Sequence, residues 1–123
     1  MTEQRLALGQ WGEQQAVDFL RQQGLKILSR NYRTPLGEID IVARSRTELL
    51  FVEVKTRRGT GFGLPQEAVG ARKQRQIIRT AQWYLKQEKC WKLQPRFDVV
   101  AILCQSDGSA QIQHLPNAFG LSD

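Results

Sequence analysis

Apolar residues return at the helical period from Leu6 to about Gln23: Leu6, Ala16, Val17 and Leu20 fall on one side, no proline interrupts, and Gly24 offers a stop. This predicts a first helix. Leu25 to Tyr32 (LKILSRNY) reads as a first strand, Glu38 to Ala43 as a second after the Pro35-Leu36-Gly37 turn, and Glu48 to Thr56 as a third. Short connections make these three a meander. The stretch from Arg57 to Pro65 (RRGTGFGLP) is too rich in glycine for regular structure and reads as a mobile loop. The helical period resumes over about Ala71 to Lys89, with Ile77, Ile78, Ala81 and Leu85 on the apolar side. Arg96 to Cys104 (RFDVVAILC) is almost continuously apolar, as in a strand covered on both faces, and Ala110 to Leu115 adds an edge strand. The order is α-β-β-β-α-β-β. A strand buried on both sides needs a helix on each side, so the expected fold is α/β, a three-layer α/β/α sandwich around a central mixed sheet.

Charged residues break this pattern where apolar ones belong. Side chains alternate along a strand, so in Glu38-Ile39-Asp40-Ile41-Val42 the two acids share one face and the isoleucines take the other. In Leu50 to Thr56, Glu53 and Lys55 share a face with Phe51, opposite Val52 and Val54. On the first helix, Glu13 lies at the middle of the stripe made by Leu6, Ala16, Val17 and Leu20. Burying such charges costs on the order of several kcal/mol unless they are paired or bind a metal.

Glu13, Asp40, Glu53 and Lys55 thus occupy inward positions on three elements that this architecture packs together. Carboxylates gathered in this way repel one another unless a cation joins them. Oxygen ligands without Cys or His partners suit Mg²⁺ or Mn²⁺, which keep several waters and take few carboxylates. A lysine beside the metal orients or helps deprotonate an attacking water, or stabilises charge on a phosphate. The same residues admit a second reading, in which Asp40 or Glu53 pairs with Lys55 or an arginine and Glu13 reaches solvent at its helix edge.

Composition changes the picture in two ways. A chain of 123 residues with 41% hydrophobic and 24% charged residues is the size and make-up of one globular domain, 1–123, with a core over about 4–116. Cys90 and Cys104 stand alone, no apolar run approaches the ~20 residues that cross a bilayer, and the opening MTEQRLALGQ lacks the order of a secretory signal. A cytoplasmic, non-membrane protein is expected. The net charge of +6 is unevenly spread. Residues 1–54 carry seven basic and seven acidic side chains, residues 55–96 eleven against Glu67 and Glu88, and residues 97–123 only three acids.

That basic block is the expected footprint of nucleic-acid binding. On the second helix Arg72, Arg75, Arg79 and Lys86 form one stripe beside Trp83, with Lys73 at its boundary, while Arg57 and Arg58 directly follow the ExK strand. The loop glycines lack GxGxxG spacing, so no nucleotide cofactor is expected. His114 reads as a surface residue of the edge strand, Asp98 as structural beside an arginine, and Glu38 as facing the rim of the site.

GEID at Gly37–Asp40, FVEVK at Phe51–Lys55, GE at Gly12–Glu13 and RFDVV at Arg96–Val100 together resemble the YraN-like family of uncharacterised bacterial proteins. By its motifs that family belongs to the restriction-endonuclease-like PD-(D/E)XK nuclease superfamily. The resemblance covers roughly Leu8 to Leu103, and archaeal Holliday-junction resolvases, which also place a helical Glu ahead of D…ExK, are a similar group. It implies Asp40 and Glu53 as metal ligands, Lys55 as the catalytic lysine and Glu13 as a supporting metal or water ligand. The superfamily's Pro-Asp is Ile39-Asp40 here.

The expected activity is therefore Mg²⁺- or Mn²⁺-dependent hydrolysis of DNA, selective for branched or damaged structure rather than sequence, since no base-reading module is evident. A second copy of the chain is a partner the sequence allows. The competing class is a non-catalytic module that binds nucleic acid or a partner and retains the nuclease fold.

Overall fold

The computed structural model describes residues 2–59, 61, 63 and 69–120. Helix α1 (Glu3–Gln22) opens at Thr2, whose hydroxyl accepts the Arg5 amide at 3.2 Å, and three strands follow: β1 (Lys26–Thr34), β2 (Gly37–Arg44) and β3 (Glu48–Arg58). Helix α2 (Ala71–Glu88), β4 (Gln94–Cys104) and β5 (Ala110–Phe119) complete the expected order. The strands form one sheet in the order β1-β2-β3-β4-β5, antiparallel except for the parallel β3–β4 pair. A parallel neighbour cannot be reached by a hairpin, and α2 lies in the crossover that joins the two.

Each face of the sheet has its own core. Ala16, Val17 and Leu20 of α1 cover Ile41, Ala43, Leu50, Val52, Val100 and Ile102. On the other face Ile77, Ala81 and Tyr84 of α2 cover Ile39, Val42, Phe51, Phe97 and Val99. Aromatic rings run in sequence through this second core, from Tyr32 to Tyr84, Phe51, Phe97 and Phe119, with centroids 5.0 to 5.7 Å apart. Among the described residues no helix is long and apolar enough to cross a membrane.

The departures from the sequence pattern are local. Leu6 is 50% exposed, because the first turns of α1 extend beyond the sheet's covered area and burial begins at Gly12. On α2, Thr80 and Tyr84 are buried with Ile77 and Ala81, while Ile78 and Leu85 only flank the core. Strand β3 runs on through Arg58, so Arg57 and Arg58 are strand residues rather than loop residues; Thr60, Phe62, Leu64 and Pro65 of the expected loop lie outside the described residues. Strand β5 reaches Phe119, with Pro116 tolerated on an edge.

The most informative departure is in β2, where Ile39 packs in the α2 core and Ile41 in the α1 core, so the two isoleucines do not share a face. Opposite this point Asn31 of β1 has a left-handed backbone, φ 52°. The ladder to β3 runs only from Ile41↔Val52 to Arg44↔Leu49. Without partners on both sides the pleat is not held, and the alternation slips at Asp40.

Helix α1 crosses β3 at Gly12, where a Cβ would overlap the Thr56 hydroxyl and come within 2.6 Å of Thr56 Cγ2. Only glycine lets the two elements meet there. Gly12→Ala is expected to destabilise the fold by about 1–3 kcal/mol through overpacking, and adding Thr56→Ala should recover part of the loss; urea unfolding of the single and double variants reads both.

Candidate active site

Continuing the β2–β3 register past Ile41↔Val52 would set Asp40 opposite Glu53, but the ladder has ended there. Instead the Asp40 side chain takes over, its Oδ2 accepting the Val54 amide at 2.8 Å. Two carboxyls are therefore brought together where the strands part. Glu53 is only 8% exposed. Its carboxyl lies close enough to that of Asp40 for each to shift the other's pKa.

The electrostatics follow from this crowding. Burial raises the Asp40 pKa and the charges of Glu13 and Glu38 raise it further, against the opposing Val54 amide. Burial and the neighbouring Asp40 charge push Glu53 up to about 7, although Lys73 and Lys55 pull the other way. Among the described residues no ion pair joins Asp40 or Glu53 to Lys55 or to an arginine. The lysines act on Glu53 through their field, and the direct-pairing reading finds no support.

Glu13 enters from α1. Its Oε1 accepts from Arg30 Nε at 3.2 Å and from Asn31 Nδ2 at 3.0 Å, while Arg30 Nη1 also donates to Gln14. Glu13, Asp40 and Lys55 line one cavity of about 490 Å³. Among the described residues, however, no three of His, Cys, Asp and Glu form a group able to ligate a metal. The structure thus brings Asp40 and Glu53 together as a pair and leaves Glu13 beside them, anchored to β1. A buried and a half-buried carboxyl, side by side and both with raised pKa, fit a hard divalent cation that keeps most of its waters.

The basic residues divide. Arg72, Lys73, Arg75 and Arg79 line a second cavity of about 810 Å³ with Leu36, Gly70 and Gln76, and Lys73 is close enough to act on Glu53. Lys86 and Trp83 are exposed further along α2. Arg57 is exposed on β3, while Arg58 donates to Cys104 Sγ at 3.9 Å and lines a separate cavity with Gln105 and Ser106. Glu38 lies 3.6 Å from Arg33, and its charge acts on Asp40.

Asp98 shows what a satisfied buried acid looks like. It is fully buried, takes Arg96 Nε and Nη2 at 2.9 and 2.8 Å, and accepts the Asn117 amide at 3.0 Å. His114 Nε2 lies 2.7 Å from it. Burial alone would raise its pKa, but these partners bring it down to about 2. His114 is accordingly no surface residue; its ring also meets Phe19 edge-on at 5.5 Å.

The sequence reading missed Arg5, Gln10, Asn31 and Arg33, which complete the cavity around Glu13, Asp40 and Lys55. An Asn inside an otherwise good strand was the available signal, because Asn is among the few residues that tolerate a left-handed backbone.

A family described as "Uncharacterised protein family UPF0102" matches residues 12–102. Proteins named "UPF0102 protein" from Syntrophotalea carbinolica, Trichlorobacter lovleyi and Persephonella marina are 61%, 48% and 42% identical to the chain. These matches cover 97%, 94% and 92% of this chain and 96%, 92% and 93% of the respective relatives.

The raised Glu53 pKa has a thermodynamic consequence. A carboxyl at 4.5 when unfolded and about 7 when folded binds more protons in the native state between those values. Its stabilising contribution is full below about 4.5 and is lost as pH rises through about 7, by on the order of 3 kcal/mol. Unfolding in EDTA across this window should show that decline, and Glu53→Gln should flatten it.

Proposed function

Given that the chain belongs to the UPF0102 family, we propose from its site that it is a divalent-metal-dependent endonuclease hydrolysing phosphodiester bonds in DNA. The observation that carries this reading is the Asp40–Glu53 pair at the strand gap, with Lys55 two residues further along β3. A buried Glu53 set against a half-buried Asp40 with no directly bonded cation is costly unless it is used, and perturbed acids of this kind mark functional sites. Asp98, more deeply buried and fully paired, is the internal contrast.

In this reading Asp40 and Glu53 hold Mg²⁺ or Mn²⁺, which supplies Lewis-acid charge at the phosphate. Lys55 offers positive charge to the non-bridging oxygens and orients the attacking water. Water oxygen bonds to phosphorus, the bond to one sugar oxygen breaks in line, and the released proton ends on that leaving oxygen. Glu13, fixed by Arg30 and Asn31, adds negative charge near Asp40 and favours a cation there. The α2 stripe of Arg72, Lys73, Arg75 and Arg79 contacts the backbone without reading bases, which favours substrates defined by structure, such as branched or damaged DNA.

Mn²⁺ should stabilise the parent against unfolding and do much less for Asp40→Asn, which itself holds or gains stability in EDTA because a like charge is removed. Glu53→Gln should weaken Mn²⁺ binding by calorimetry, whereas Lys55→Ala should still bind the ion and lose at least about a hundredfold in cleavage rate of a forked DNA. Arg75→Ala with Arg79→Ala should weaken binding on every sequence and reduce the salt slope, by about 0.9 for each phosphate no longer neutralised. A parent that binds forked, flapped and nicked DNA but cuts none of them in either metal would leave the binding-module reading instead.

A further inference from the structure

Resting on that reading, we propose that the cavity between α1 and the parted ends of β1, β2 and β3 seats a backbone phosphate of the substrate strand, held by Arg5 and Arg33. The strand then crosses the α1 face of the sheet, and the α2 stripe holds other phosphates from the opposite face.

Three observations point there. The cavity of about 490 Å³ gathers Arg5, Arg33 and Lys55 around Glu13 and Asp40, with Gln10 and Asn31 as further amide donors. Arg5 and Lys55 form no ion pair among the described residues, and Arg33 meets only Glu38, at 3.6 Å, with its side chain 77% exposed. Cations without firm partners beside two carboxylates form a site for a phosphodiester with its metal, each oxygen meeting positive charge. Lys55 lines this cavity at a level where β2 no longer pairs with β3.

The second observation is the wall itself. Gly9 lines the cavity, and a Cβ built there would meet nothing within 4 Å. Gly12, three residues on, seats the helix on Thr56, whereas no packing requires Gly9 to be glycine. Glycine inside a helix is unfavourable, so this bare stretch works against local stability while keeping the cavity open.

The third is Asn31. Its left-handed backbone turns the side chain of an edge strand onto Glu13, at 3.0 Å, so one oxygen of Glu13 is fixed to β1. This ties the acid to β1 and leaves its other oxygen without a hydrogen-bond partner among the described residues.

The test uses Gly9→Trp, which fills the cavity and should keep or raise the melting temperature by replacing a helical glycine, with Gly9→Ala as control. Binding of a fluorescein-labelled forked DNA is followed by anisotropy in Ca²⁺, and cleavage in Mn²⁺. Gly9→Trp should weaken binding at least tenfold and abolish cleavage, while the single methyl of Gly9→Ala should cost far less of either. Arg5→Ala with Arg33→Ala, two exposed positions that leave the core intact, should weaken binding about tenfold and lower the salt slope by about 0.9 for each phosphate no longer held. Gly9→Trp and the double arginine variant both binding as the parent does would overturn the cavity assignment while leaving the nuclease reading in place. A parent that binds the fork but never cleaves it overturns the nuclease reading, and the cavity then stands or falls on the Gly9→Trp anisotropy. A parent that neither binds nor cleaves overturns both.

Discussion

The long parallel pairing of β3 with β4 is the constraint on which everything else rests. It runs without interruption from Glu48↔Gln94 to Arg58↔Cys104, and it requires the crossover in which α2 lies. Both strands are central and buried on two faces, which in turn demands α1 on the other side. On its opposite edge β3 keeps β2 only as far as Val52. Glu53 and Lys55 therefore stand on a strand held firmly from one side and free on the other. A rigid backbone beside an open gap is what a precise constellation of side chains needs.

The chain handles the acids it takes out of solvent in two opposite ways. Asp98 has a guanidinium, an imidazole and a backbone amide within bonding distance, and its proton is easily lost. Through Arg96 the same network reaches Glu48 at 3.0 Å, so it ties β3, β4 and β5 together at one end of the sheet. Asp40 has one backbone amide and Glu53 has none, the two lie side by side, and both hold their protons more tightly than free carboxyls do. The contrast separates an acid that stabilises the fold from acids that the fold tolerates.

Most of the architecture was readable because its signals are periodic and strong: helical stripes, a two-faced apolar strand at Arg96 to Cys104, and turn residues between them. Glu53 and Lys55 were readable for the same reason, since β3 keeps its alternation. What escaped was set by tertiary partners. The slip that sends Ile39 and Ile41 to opposite cores depends on β2 losing β3 at a particular residue. The hold of Arg30 and Asn31 on Glu13 joins elements with no local sequence relation. His114 looked isolated because its partner, Asp98, lies on the neighbouring strand.

Asn31 also bears on how the molecule lives among copies of itself. Both outer strands carry a left-handed asparagine, Asn31 in β1 at φ 52° and Asn117 in β5 at φ 51°, the latter directly after Pro116. A template for strand addition must be flat and offer an unbroken row of amides. Each of these kinks interrupts that row, and Pro116 removes a donor altogether. The rims of the sheet are thereby protected against fibril-like stacking, and on the β1 side the residue that blocks aggregation is the same one that grips Glu13.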